Sequence, residues 1–274
     1  MNTKILFFIF LIILGLGLGL FMIYLLRNRN YEGFATETIY LRAYGYAFME
    51  GDGVQTTTGG AGGNQIIIDG DVKEFREKCE DLRDDNEPTI FILRGSFEFK
   101  DDMVKLPSNC TIFGENVKIK GGFKIEDQSN IIIQNIFFEK YDKHGDKVDN
   151  IQIIQYSHHI WVDHCTFTKT EDGLCDITKG SSYITISWCK FGEDHRKTIL
   201  IGHDDKQTKD RGKLKVTLHH NWFKSGIRNP RVRFGRVHVY NNFYDDNEDY
   251  GIASAIGAII YAENNYFDGV KRPL

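Results

Sequence analysis

Along most of this chain, short apolar runs end on a recurring signature: Asn or Cys, any residue, then Phe or Tyr. It occurs in IIIQNIFF, IWVDHCTF, ITISWCKF, VTLHHNWF, VHVYNNFY and IYAENNYF. The polar positions are Asn135, Cys165, Cys189, Asn221, Asn242 and Asn265; the aromatic positions are Phe137, Phe167, Phe191, Phe223, Tyr244 and Phe267. Successive copies lie 30, 24, 32, 21 and 23 residues apart. Spacing this irregular does not fit a leucine-rich or propeller repeat, but it suits a parallel β-helix, where each coil keeps its strands and varies its turns. Stacked coils lie about 4.8 Å apart, so like residues are expected to form ladders, amide to amide and ring on ring.

Two segments break this pattern. DVKEFREKCEDLRDD, Asp71 to Asp85, puts Val72, Phe75, Cys79 and Leu82 on one helical face, as a short amphipathic helix does. In a solenoid such a helix caps the open N-terminal end. Upstream, Ile5 to Leu26 runs 22 residues without a charge. At about 1.5 Å per residue a helix of that length spans roughly 33 Å, enough to cross a bilayer. Arg27 and Arg29 follow the run directly, without a small-x-small cleavage site, so an uncleaved membrane anchor is expected, with a cleaved signal and a secreted chain as the alternative. Lys4 and the terminal amine balance Arg27 and Arg29, which leaves the orientation rule tied. The chain thus divides into a segment 1–30 and a β-helix domain 31–274.

Composition narrows the function classes. With 34 Lys+Arg against 38 Asp+Glu the net charge is −4, which provides no basic field for nucleic acid. Twenty-seven Gly against four Pro, with 13 Tyr and 20 Phe, favours turns between aromatic-rich strands. Cys79, Cys110, Cys165, Cys175 and Cys189 form no CxxC pair; they read mainly as buried packing residues, with a disulfide between Cys165 and Cys189 in neighbouring coils as the alternative to two buried thiols.

A second set of apolar runs carries charges. Asp149 precedes IQII, Asp176 precedes Ile177-Thr178, Lys197 precedes TILIG and Arg228 opens RNPRVRFG, at spacings of 27, 21 and 31. These match the coil period, so the four residues are expected along one face, with Asp172 a turn ahead of Asp176. Carboxylates that close repel unless a cation joins them, and an all-oxygen set suits Ca²⁺ better than zinc or copper. Lys197, Arg228, Arg231 and Arg233 beside it make a strip suited to carboxylate groups. Read on its own, the charge strip equally describes surface ion pairs.

With these motifs in order, the chain resembles the pectate lyases, calcium-dependent polysaccharide lyases of the parallel β-helix type, from about Tyr44 to Phe267. TTTGGAGG at Thr56 to Gly63 is similar to the family's glycine motif, IWVDHCTF to its WiDH motif, and DGLCDITKGSSYITIS to its DGxxD stretch. KTILIGHDD and RNPRVRFGRVHVYNNFY resemble its Lys and RxPxxR regions. The resemblance implies an all-β, right-handed parallel β-helix that binds Ca²⁺ through Asp149, Asp172 and Asp176. It implies Arg228 as the catalytic residue, and Lys197 and Arg233 as the holders of substrate carboxylates. Trp161, Asp163 and His164 match a chiefly structural motif, with His164 a satisfied buried histidine.

The implied reaction is β-elimination within polygalacturonate: a base removes the proton next to a uronate carboxylate, the glycosidic oxygen leaves, and an unsaturated sugar results. A guanidinium is an awkward base, so two roles for Arg228 stay open: it takes the proton, or it remains charged and stabilises the transition state while solvent takes it. Only 46 residues follow Arg228, fewer than the family usually carries, so a shortened C-terminus is expected. That shortening keeps a non-catalytic reading open, a β-helix that binds acidic polysaccharide or acts as a surface adhesin. The remaining expectations are a monomer, with the β-helix outside the cell, anchored in the membrane or secreted.

Overall fold

Each apolar run becomes one strand of a coil. The computed structural model describes residues 44–99, 103–141, 148–192, 195–224 and 226–274, and among these the strands stack into a 15-stranded and a 7-stranded sheet. Pairing is parallel in both. One coil shows the plan. Cys175–Ile177 lies in the smaller sheet and Ser182–Ser187 in the larger. The chain then bends at Trp188, continues as Lys190–Gly192 in the larger sheet, and loops to Ile199–Ile201, which pairs with Cys175–Ile177.

The bends have a fixed chemistry. Asn135, His164, Trp188, His220, Asn241 and Asn264 all adopt the left-handed conformation, with φ between 50° and 58°. Asn tolerates this conformation best. The bulky residues at these bends stack on one another, Trp188 lying 4.4 Å from His220 and 5.9 Å from His164 between ring centroids.

Inside the coils the expected ladders form. Phe138, Phe167, Phe191, Phe223, Tyr244 and Phe267 stack successively at 4.9, 4.6, 5.2, 5.0 and 4.5 Å. The Asn242 Oδ1 accepts from Asn221 Nδ2 at 3.1 Å, and Asn265 Oδ1 accepts from Asn242 Nδ2 at 3.0 Å. All five cysteines are buried free thiols, and the Cys189 Sγ accepts the Cys165 N–H at 3.4 Å. The first copy is displaced by one residue. Phe138, not Phe137, pairs with Phe167, and Asn135 sits on the bend, donating to the Gly114 carbonyl. The physical reason is the doubled ring: with Phe137 and Phe138 adjacent, the chain buries the second and leaves Phe137 at the surface.

The expected cap is Val72–Asp85, with Asp71 at its N-cap accepting from the Glu74 N–H and Asn86 closing it in the left-handed conformation. It inserts Phe75 among Phe91, Phe97, Phe99 and Phe123 at 5.4–6.2 Å. The glycine motif runs against neighbouring strands of the larger sheet. Thr58 and Gly59 donate their N–H groups to the Asn130 Oδ1 at 2.7 and 2.8 Å. A Cβ at Gly63 would fall 1.7 Å from the Pro88 carbonyl oxygen. Among the described residues no helix is long and apolar enough to cross a membrane; the expected anchor at 5–26 lies outside the described residues.

On the larger sheet His219 is buried, stacked on Tyr240, with its Nδ1 2.9 Å from the His220 Nδ1. Burial, with His220 beside it, pushes its pKa down to about 4. The unfolded chain accepts a proton below about 6.5 while the folded chain resists it, so stability is expected to fall as the pH drops from about 6.5 to 4. Thermal midpoints against pH check this, with a shallower acid limb expected for His219→Phe.

Candidate active site

The smaller sheet positions the charged residues. Along Cys175–Ile177 the flanking side chains point into the core and Asp176 points out, in line with Lys124, Gln152, Leu200 and Arg231 on neighbouring strands. Asp149 lies at the corner before Ile151–Ile154 and is only 3 % exposed. Its Oδ1 accepts the Gly173 N–H at 2.7 Å, and its Oδ2 accepts from the Gln152 Nε2 at 2.9 Å. Gly173 passes between the two acids: a Cβ there would lie 2.4 Å from the Asp176 Oδ1 and 3.0 Å from the Asp149 Oδ1. Only glycine lets both carboxylates close on one point.

That closeness is costly without a partner. Burial and then the neighbouring carboxylates hold the Asp176 pKa well above the usual range. Burial is the main cause for Asp149 as well, pushed up to about 6 with Asp172 contributing. The cations that relieve Asp176 are Arg228 and Lys197. Asp172, the third predicted acid, spends its Oδ1 on the Lys197 Nζ at 2.5 Å, and its carbonyl accepts from the His195 Nε2 at 2.7 Å. Among the described residues no three His, Cys, Asp or Glu side chains converge as a ready metal set, and Lys197 holds Asp172. That ion pair is partly exposed, 44 % and 33 %, and such pairs contribute about 0–1 kcal/mol, so an incoming charge can exchange either partner.

Arg228 is set apart by a bulge. Lys197 bridges to Ile227 and Leu200 pairs with Arg231, so Arg228, Asn229 and Pro230 oppose only Thr198 and Ile199. An extra residue of this kind re-aims a side chain. Here Arg228 takes φ 67° and its Nε is buried without a hydrogen-bond partner among the described residues. The four-residue column expected from spacing is therefore corrected: Asp149 and Lys197 share corner positions, Asp176 lies on the strand itself, and Arg228 stands on the bulge. Arg233 follows the Arg231–Val232 strand and is held by partners of its own. Its Nε donates to the Asp205 Oδ1 at 2.5 Å and its Nη1 to the Gly202 carbonyl at 2.9 Å.

The sequence reading missed Gln152, Gly173 and Asp205. Gln152 follows Asp149 closely enough to read as the outward residue of a strand, which was its only signal. His164 is satisfied by Asp163 at 2.6 Å, as expected, yet its side chain is 54 % exposed; the left-handed bend turns it outward, which corrects its expected burial.

The chain is similar to known proteins. A family model described as pectate lyase matches residues 35–272. A pectate trisaccharide-lyase from Thermotoga maritima is 42 % identical over 199 residues, covering 69 % of this chain and 53 % of that protein. A pectate lyase from Bacillus subtilis is 38 % identical over 208 residues, covering 61 % and 49 %. The chain thus spans about half the length of these curated relatives. Among solved structures, a pectate lyase from Bacillus sp. N165 in complex with trigalacturonate superimposes with a TM-score of 0.72 at 31 % identity, covering 82 % of this chain and 75 % of that one.

Proposed function

The chain belongs to the pectate lyase family, and on that premise we propose that it cleaves polygalacturonate by Ca²⁺-assisted β-elimination. The observation that carries this reading is the pair of crowded carboxylates, Asp149 and Asp176, closing on Gly173 with Lys197 and Arg228 alongside. An all-oxygen donor set with mutual repulsion fits a hard divalent cation; Asp149, Asp176 and Asp172 would hold it, the last once Lys197 turns to substrate. When bound, the ion supplies positive charge that binds a uronate carboxylate and stabilises the enolate-like charge beside it.

The chain's own residues do the rest. Lys197, freed from its weak pair with Asp172, binds a substrate carboxylate, and Arg233 binds a second contact with its uncommitted N–H groups. Arg228 faces the reacting carbon from the bulge, as the base or as the charge that stabilises the transition state. The C–H electron pair forms the new C=C bond as the glycosidic C–O bond breaks, and the leaving oxygen takes up a proton from solvent. Since the polymer is met outside the cell, the reading carries the chain there, anchored or released according to the fate of the run at 5–26. The site draws on one chain, so a monomer suffices.

Mass spectrometry of a polygalacturonate digest tests the reaction type. Unsaturated oligogalacturonides are expected; saturated products would contradict elimination, and intact polymer that nevertheless binds would favour the non-catalytic β-helix.

A further inference from the structure

Arg233 is fixed in place before any ligand arrives. Its backbone N–H donates to the Ile201 carbonyl at 2.7 Å, its Nη1 to the Gly202 carbonyl, and its Nε to Asp205. Gly202 has φ 81°, and a Cβ there would lie 2.5 Å from the Arg233 carbonyl oxygen and 3.0 Å from its Cβ, so this approach admits only glycine. The Arg233 side chain is 12 % exposed while that of Asp205 is 64 % exposed. The acid therefore sits at the surface and contributes no packing.

We propose that Asp205 is a positioning residue for substrate capture, holding Arg233 so that the unused edge of its guanidinium receives a uronate carboxylate. This rests on the pectate lyase reading. A guanidinium carries five N–H donors in a rigid plane. With the Nε–H and one Nη1–H committed, no other partner holds the remaining donors among the described residues, and one donor from each of Nη1 and Nη2 makes the terminal edge that a carboxylate grips bidentately. Fixing that edge beforehand removes the ordering cost that a flexible arginine would meet on binding. Asp205 acts only through Arg233, so its effect must disappear when Arg233 is gone.

The test is a double-mutant cycle in the full chain with Asp205→Asn, Arg233→Ala and both together. It is read by initial rates on polygalacturonate and by calorimetric binding of trigalacturonate. Asp205→Asn is expected to raise KM about tenfold with kcat within about twofold of the parent. Asp205→Glu is expected to restore most of the loss, and thermal midpoints to stay unchanged. In the Arg233→Ala background, Asp205→Asn is expected to change neither KM nor affinity further. A loss that persists undiminished in that background overturns the proposal, as does an unchanged KM or a loss that follows a lowered thermal midpoint. Parent protein that binds trigalacturonate without cleaving the polymer contradicts the lyase reading alone, and the binding cycle still decides Asp205. Parent protein that does neither overturns both.

Discussion

Arg228→Lys is expected to lower kcat on polygalacturonate by about a thousandfold while trigalacturonate still binds, within a few-fold of the parent affinity. Lysine keeps the charge but not the planar fork, and its shorter reach takes the donor away from where charge develops. The structure gives the reason for expecting so much from one residue. Arg228 occupies a bulge opposite Thr198 and Ile199, in the left-handed conformation that is unfavourable for a long side chain. Its Nε is buried without a partner among the described residues, and an unused donor in such a place is costly. Lys197, by contrast, already has an exchangeable partner in Asp172. Initial rates together with calorimetric binding check the separation. Equal losses in both would mean that Arg228 only holds substrate.

Asp176→Ala is expected to have the next largest effect, lowering activity at limiting calcium by at least about a hundredfold. It should also abolish the rise in thermal midpoint that calcium gives the parent protein, since a ligand that binds the folded state stabilises it. The same substitution has an opposite effect without metal. Burial holds both Asp176 and Asp149 above the usual carboxylate range, with Asp149 and Asp172 adding to the rise at Asp176. Removing Asp176 takes away a buried carboxylate that is costly to ionise beside its acidic neighbours, so the metal-free variant is expected to melt at a higher temperature than the metal-free parent. Melting curves with calcium and with chelator show both effects. A metal-free variant that melts lower would mean that the carboxylates are stabilising ion-pair partners of Lys197 and Arg228.

The repeat was legible because it is periodic: ladders of Asn, Cys and aromatic rings recur in successive coils, and the structure stacks them. Legibility ended where two registers were equally good. Asn135-Ile136-Phe137 matches the signature, but the neighbouring Phe138 is the ring that fills the core. The identities of the charged residues were readable from their motifs, whereas their columns were not. Apolar-run spacing cannot show that Asp176 sits on a strand while Asp149 sits at a corner, nor that three residues at Arg228 oppose two. Asp205 was hidden for another reason. In GHDD it has the composition of an ordinary turn, and only the fold brings it against a residue 28 positions away.

The most direct measurement is the ultraviolet absorbance of polygalacturonate incubated with the full chain, first with calcium and then with chelator. Elimination creates a double bond conjugated with the uronate carboxylate, so absorbance is expected to rise with calcium and to stop rising on chelation. Folded, calcium-supplied protein that produces no rise would contradict the lyase assignment, and a rise that continues in chelator would contradict the role given to Asp149, Asp172 and Asp176.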